Sequence, residues 1–217
     1  MSAGIEGQKP KLRGRLHQIA FFVVVPAGIA LVLLARSPSA RVAAAIYALS
    51  LAGLFGVSAA YHRLPWSPRA RPRMKRLDHS MIFVLIAGTY TPIALLVLRG
   101  AWSIAILSIV WAGAAAGITL KIVRIDGFNA AGGALYIALG WLAIIALPKI
   151  IHGLPGPAIG LSFAGGLIYT GGAIVLLTKR PDPNPALFGY HEIWHSMVIA
   201  ACACFYAVTL LVVLRAG

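Results

Sequence analysis

Acidic residues and cysteines are scarce in this chain. Its 217 residues hold five Asp and Glu against nineteen Lys and Arg, and charged side chains make up only 11% of the total. That is well under the quarter or so expected of a soluble domain, and it excludes an ordinary water-facing surface. Two cysteines cannot build the disulfide framework of a small secreted domain. Cys202 and Cys204 stand two residues apart, a rotation of about 200° on a helix, so they share neither a bridge nor a metal. No repeat, low-complexity tail or second compositional block divides the sequence. Residues 1–217 therefore read as a single domain, with 1–16 as a short basic segment at its start.

Apolar residues fill the space that charge leaves. They make up 60% of the chain, and the mean hydropathy is +0.87. Runs long enough to cross a hydrocarbon core, about 20 residues each, lie at 18–36, 42–62, 77–98, 102–121, 131–150, 157–178 and 187–214. The pattern predicts an all-α polytopic membrane protein, a bundle of seven transmembrane helices. The first run has basic residues before it but no small-residue cleavage site, and further spans follow at once, so it reads as a retained helix.

Lys and Arg concentrate on the cytoplasmic side of such proteins. Under alternating topology, fourteen of the nineteen fall on one side: Lys9, Lys11, Arg13, Arg15, Arg63, Arg69, Arg71, Arg73, Lys75, Arg76, Lys121, Arg124, Lys179 and Arg180. Arg36, Arg41, Arg99, Lys149 and Arg215 fall on the other. The expected N-terminus is cytoplasmic and the C-terminus outside. A net charge of +14 divided among short loops beside spans suits anionic lipid headgroups, not nucleic acid. The densest cluster, Arg69 to Arg76 with Pro68 and Pro72, reads as an interfacial connector between the second and third helices.

Glycines within the spans, including Gly113-x-x-x-Gly117, let backbones approach closely without implying a dimer. Gly88-Thr89-Tyr90-Thr91-Pro92 reads as a kink in the third helix, with Thr89 or Thr91 placed to satisfy the carbonyl that Pro92 frees.

The ionisable residues gather at one depth. The second helix ends Ser58-x-x-x-His62, the third begins near Asp78, and the seventh begins with Tyr190-His191-Glu192-Ile193-Trp194-His195. All three helix ends meet the same leaflet. Ser58 with His62, and His191 with His195, are pairs one turn apart on one face. Polar side chains at membrane depth are costly and mark a pathway or a site. Three imidazoles, two of them at i and i+4, match a three-ligand zinc site that keeps a position for water. Imidazole also suits iron, copper and nickel. His17 and His152 read as interfacial side chains, and His79, rotated about 100° from Asp78, as structural.

Taken together, Ser58-x-x-x-His62, Asp78, Gly88-Thr89-Tyr90-Thr91-Pro92 and His191-Glu192-Ile193-Trp194-His195 resemble the hemolysin III family of bacterial membrane proteins. That family is related to the progestin and adipoQ receptors, including the adiponectin receptors. The resemblance covers nearly the whole chain. It implies seven spans, a cytoplasmic N-terminus and a Zn2+ ion held by His62, His191 and His195, with Asp78 and Ser58 around the catalytic water. Partner binding through the long N-terminal region of the animal receptors is not carried over to the short segment here.

The expected chemistry is hydrolysis of a lipid amide, ceramide-like by resemblance, or of another acyl-lipid amide or ester. Zinc there activates water and polarises a carbonyl, Asp78 moves the proton, and Ser58 donates to the developing oxyanion. Membrane lipids are the expected partners. A competing scheme takes His191-Glu192-x-x-His195 as the HExxH of an intramembrane metallopeptidase, with Glu192 as base. Glu192 also has a plainer reading, as a carboxylate complementing the dipole at a helix start. Non-catalytic alternatives are a membrane receptor or regulator, or a pore-forming cytolysin, with zinc as a structural tie.

Overall fold

Amide and carbonyl groups inside a bilayer must bond within their own segment, so apolar runs of this length become helices. The computed structural model describes residues 10–123 and 130–216, and no strand occurs among them. Lys9 and Arg124 of the charge count lie outside the described residues. The helices are α1 (Arg15–Leu34), α2 (Pro38–Arg63), α3 (Ala70–Leu96), α4 (Ala101–Val123), α5 (Ala130–Gly140), α6 (Leu147–Gly153), α7 (Gly156–Thr178) and α8 (Tyr190–Arg215), with a single 3-10 turn over Leu142–Ile144. Six of them are long and apolar enough to span a membrane alone, and the bent pair of α5 and α6, the broken span below, makes a seventh where the two count as one.

Local chemistry sets the ends. Ser37 caps α2 by accepting the Ala40 amide, Pro38 occupies the first turn, and His62 and Arg63 sit in the last turn, where cations suit the dipole. The indole of Trp66 donates to the Ala60 carbonyl at 3.0 Å and folds the following loop back onto that end. At the start of α8 the Glu192 carboxylate accepts the Gly189 amide at 3.0 Å.

The structure corrects three expectations. The fifth span is not one continuous helix: it bends by 56° between α5 and α6. Pro148, in the first turn of α6, has no amide to continue the ladder from Ile144. The broken backbone is satisfied by Tyr90 on α3, whose hydroxyl donates to the Gly140 carbonyl at 2.9 Å and accepts the Ala143 amide at 2.8 Å. The second correction is that the basic cluster is a connector only as far as Arg69: Arg71 to Arg76 belong to the first turns of α3, where Pro72 costs little because those amides have no intrahelical acceptor. The third is that Thr89 and Thr91 donate to the carbonyls of Leu85 and Ala87, both at 2.8 Å, not to Gly88, whose carbonyl Pro92 frees. The glycine itself is a contact point. A Cβ at Gly88 would run into the Ser50 side chain, so α2 and α3 meet backbone to side chain there.

Gly113 and Gly117 are likewise used within the chain, against Leu139 and Phe83. Helix α8 runs through the middle, packing on α1, α2, α3 and α7. It is tied across by Tyr47 donating to the Cys202 carbonyl at 3.3 Å and by Tyr206 donating to Ala27 at 2.8 Å. Cys202 is buried and Cys204 half-buried, and both are free thiols. Large apolar side chains such as Phe22, Leu33, Leu49, Ile104 and Val123 point outward, as a lipid-facing surface requires.

Candidate metal centre

Antiparallel helices bring the end of α2 beside the starts of α3 and α8, which is the bundle's basic end. There His62, His191 and His195 converge, with one ring nitrogen from each lying within 4.8 Å of the others. The Nε2 atoms of His62 and His191 are 3.3 Å apart. The rings are tilted or edge-on to one another, with centroids separated by 4.5 to 5.3 Å. His195 is buried, one turn deeper than the half-buried His191, because the i,i+4 spacing stacks them along one face. A single imidazole–imidazole hydrogen bond accounts for two of these rings but not for the third.

Ser58, one turn inside His62, is buried with its hydroxyl beside the half-buried Asp78 carboxylate. Both line a cavity of about 290 Å³, together with His17, His79, His191 and His195 at one end. Most of the rest of the wall is apolar or aromatic, including Ile86, Phe163, Leu176, Val198 and Phe205, with the hydroxyls of Thr89, Ser162 and Thr170 among them. Along α3 the lining runs from Asp78 to Ile93, about 22 Å at 1.5 Å per residue. That is a slot along most of the roughly 30 Å hydrocarbon thickness. It lies between the broken span, which packs on α3 and α4, and α7, which packs on α8. Trp141 donating to Thr170 at 3.2 Å bridges the two walls.

Glu192 does not face this space. It is 1% exposed, its Oε1 accepts from Arg13 Nε at 2.6 Å, and its Oε2 accepts the Gly189 amide. The plainer reading of this carboxylate, as a helix-start group, describes it, and the HExxH scheme is left with a base already committed to a cation and an amide.

Three contributors escaped the sequence reading, all from the N-terminal segment and α1. Arg13 pairs with Glu192. Gly14 adopts φ +77° and lies so close to α2 that a Cβ would fall 2.5 Å from the His62 Cβ. His17 is not interfacial: it is 3% exposed and stacks on His195 with centroids 3.7 Å apart and planes 8° from parallel. The cause is the docking of α1 against α8, which draws the first helical turn under the bundle, and no periodicity in the sequence announces it. His152, by contrast, is exposed, as an interfacial side chain should be.

Fold and site together define a multi-pass membrane protein with a three-histidine cluster able to hold a metal ion. The profile of the family described as Haemolysin-III related matches residues 6–206. Hemolysin-3 of Bacillus cereus is 36% identical over 201 residues, covering 91% of this chain and 89% of that protein. The Hemolysin-3 homolog of Bacillus subtilis (strain 168) is 32% identical over 201 residues, covering 88% and 91%. The chain belongs to the haemolysin III family.

Proposed function

We propose that this protein is a zinc-dependent hydrolase that cleaves an amide or ester bond of a membrane lipid. One observation carries the reading: a three-histidine cluster stands at the polar end of an apolar slot that also holds a serine hydroxyl and a carboxylate. The 3.3 Å between Nε2 of His62 and Nε2 of His191 is about the edge of a tetrahedron with bonds of about 2.0–2.1 Å, the zinc–nitrogen length. When bound, zinc supplies activation of water near neutral pH and polarisation of the scissile carbonyl. Asp78 takes the proton from the attacking water and returns it to the leaving group. Ser58, beside it, donates to the oxygen that gains charge. The apolar walls hold the acyl chain and keep bulk water away. The excess of Lys and Arg at this end of the bundle supports a position at the cytoplasmic face of a bacterial plasma membrane.

The test is elemental analysis of protein purified in detergent without chelators, paired with fatty-acid release from vesicles containing an N-acyl lipid. Near-stoichiometric zinc in the wild type is expected to disappear in His62→Ala, His191→Ala and His195→Ala and to persist in Asp78→Asn, while acid release is lost in all four. A wild type without metal sinks the hydrolase reading. A predominance of iron, copper or nickel keeps the site and changes the ion.

The relatives' printed names favour a second reading, a cytolysin in which the metal ties α2 to α8. A receptor or regulator uses the tie in the same way. Dye leakage from vesicles with no product formed supports the cytolysin, and product without leakage supports the hydrolase.

A further inference from the structure

We propose that residues 10–13 form a lid, hinged at Gly14, that opens to let the metal ion reach His62, His191 and His195 from the basic end of the bundle. The inference rests on the three histidines being a metal site, but not on hydrolysis. Residues 10–15 form a compact turn, in which the Arg13 amide donates to Pro10 at 3.0 Å and the Arg15 amide to Leu12 at 2.9 Å. The turn lies across the two helices that supply the ligands. Lys11 and Leu12 donate to the carbonyls of Ala186 and Leu187, just before α8, Arg13 pairs with Glu192 at 2.6 Å, and Gly14 packs on His62 at the end of α2. The slot reaches His191 and His195 from elsewhere, because none of residues 10–14 lines it.

Of the two approaches to the histidines, the slot is the poorer route for an ion. Its wall is mostly apolar, and a cation gives up hydration there at high cost. The turn is tied to α8 and the loop before it through two main-chain hydrogen bonds and an ion pair whose arginine is 20% exposed. Segments held so lightly open locally without unfolding the rest. Gly14 stands where the turn meets α1 and has φ +77°, a conformation that glycine enters and leaves without steric cost. The turn can therefore swing while α1 stays docked. Opening withdraws the Arg13 guanidinium and bares the Glu192 carboxylate next to His191, a charge that attracts an incoming cation.

Stopped-flow mixing with Zn2+ and a fluorescent chelator gives the rate of binding to stripped protein and the rate of release from loaded protein. A lid limits both, whereas a residue that only positions ligands governs release. Arg13→Ala is expected to raise both rates about tenfold, between the worth of an exposed and of a buried ion pair. Leu12→Cys/Leu187→Cys, joined by a short thiol cross-linker, is expected to slow both relative to the same protein with its thiols blocked singly. Tyr90→Phe, which loses stability far from the lid, keeps the wild-type rates. Unchanged rates in the cross-linked protein overturn the proposal, as does a rise in release alone in Arg13→Ala, an equal rise of both rates in Tyr90→Phe, or a wild type that binds no zinc. Lid-limited exchange in a protein that releases no fatty acid defeats the hydrolase reading and leaves this one standing.

Discussion

Removing the Arg13 guanidinium is expected to destabilise the protein by leaving a carboxylate alone in its interior. Arg13 is 20% exposed, whereas Glu192 is 1% exposed. Stranding one member of a fully buried pair costs about 3–5 kcal/mol, while exposed pairs contribute under about 1 kcal/mol. One partner here is partly wet, and Oε2 keeps the Gly189 amide, so Arg13→Ala should cost roughly 2–3 kcal/mol. For a chain of this size that corresponds to about 4–12 °C in Tm. Because an amide needs no cation, Glu192→Gln should cost less, and Arg13→Ala/Glu192→Gln should recover most of the loss of Arg13→Ala. Thermal unfolding in one detergent, with metal saturating, measures all four corners of this double-mutant cycle. Strict additivity of the two single changes would refute the coupling. A stable Glu192→Gln protein with intact metal and no hydrolysis would refute the assignment of Glu192 to structure and restore the HExxH scheme.

Gly14→Ala adds a Cβ 2.5 Å from the His62 Cβ at a φ of +77°. Left-handed strain and overpacking together cost roughly 2–5 kcal/mol, and metal affinity is expected to fall about 10–100-fold as for a lost supporting contact, measured by competition with a chelator. Tyr90→Phe removes both bonds to the broken span and should cost about 1–3 kcal/mol in thermal unfolding while leaving metal content unchanged, since Tyr90 stands about three turns from Asp78 along α3. Stripping the metal should lower Tm for the wild type, because an ion that binds only the folded state stabilises it by mass action. The same treatment should leave the Tm of His195→Ala unmoved.

The spans and the three histidines were legible because they rest on short-range rules. An apolar run of 20 residues has few fates, and His191 and His195 share a face by helix geometry alone. Their meeting with His62 followed from alternation of the chain across the membrane. The break in the fifth span was less legible: Gly140 and Pro148 are both tolerated in membrane helices, and what stabilises the break is the Tyr90 hydroxyl, supplied by α3 from 50 residues earlier. Arg13, Gly14 and His17 were illegible for the same reason. Their partners are 179, 48 and 178 positions away, at Glu192, His62 and His195, and only the docking of α1 brings them there.

Those three contacts also change what the site is. The triad alone is a product of α2 and α8, two helices that touch over a limited length. Each of its fixed points is met by a residue of one short segment: Arg13 neutralises the carboxylate between His191 and His195, Gly14 leaves room for the His62 Cβ, and His17 covers the face of His195. The chain before α1 is pinned in turn by the amides of Lys11 and Leu12, which donate to the carbonyls of Ala186 and Leu187 at 3.1 and 3.4 Å in the loop leading into α8. Ligand geometry in a metal centre depends on the groups that hold the ligands. Lys11 to Gly14 and His17 therefore help to position the three histidines of the candidate centre.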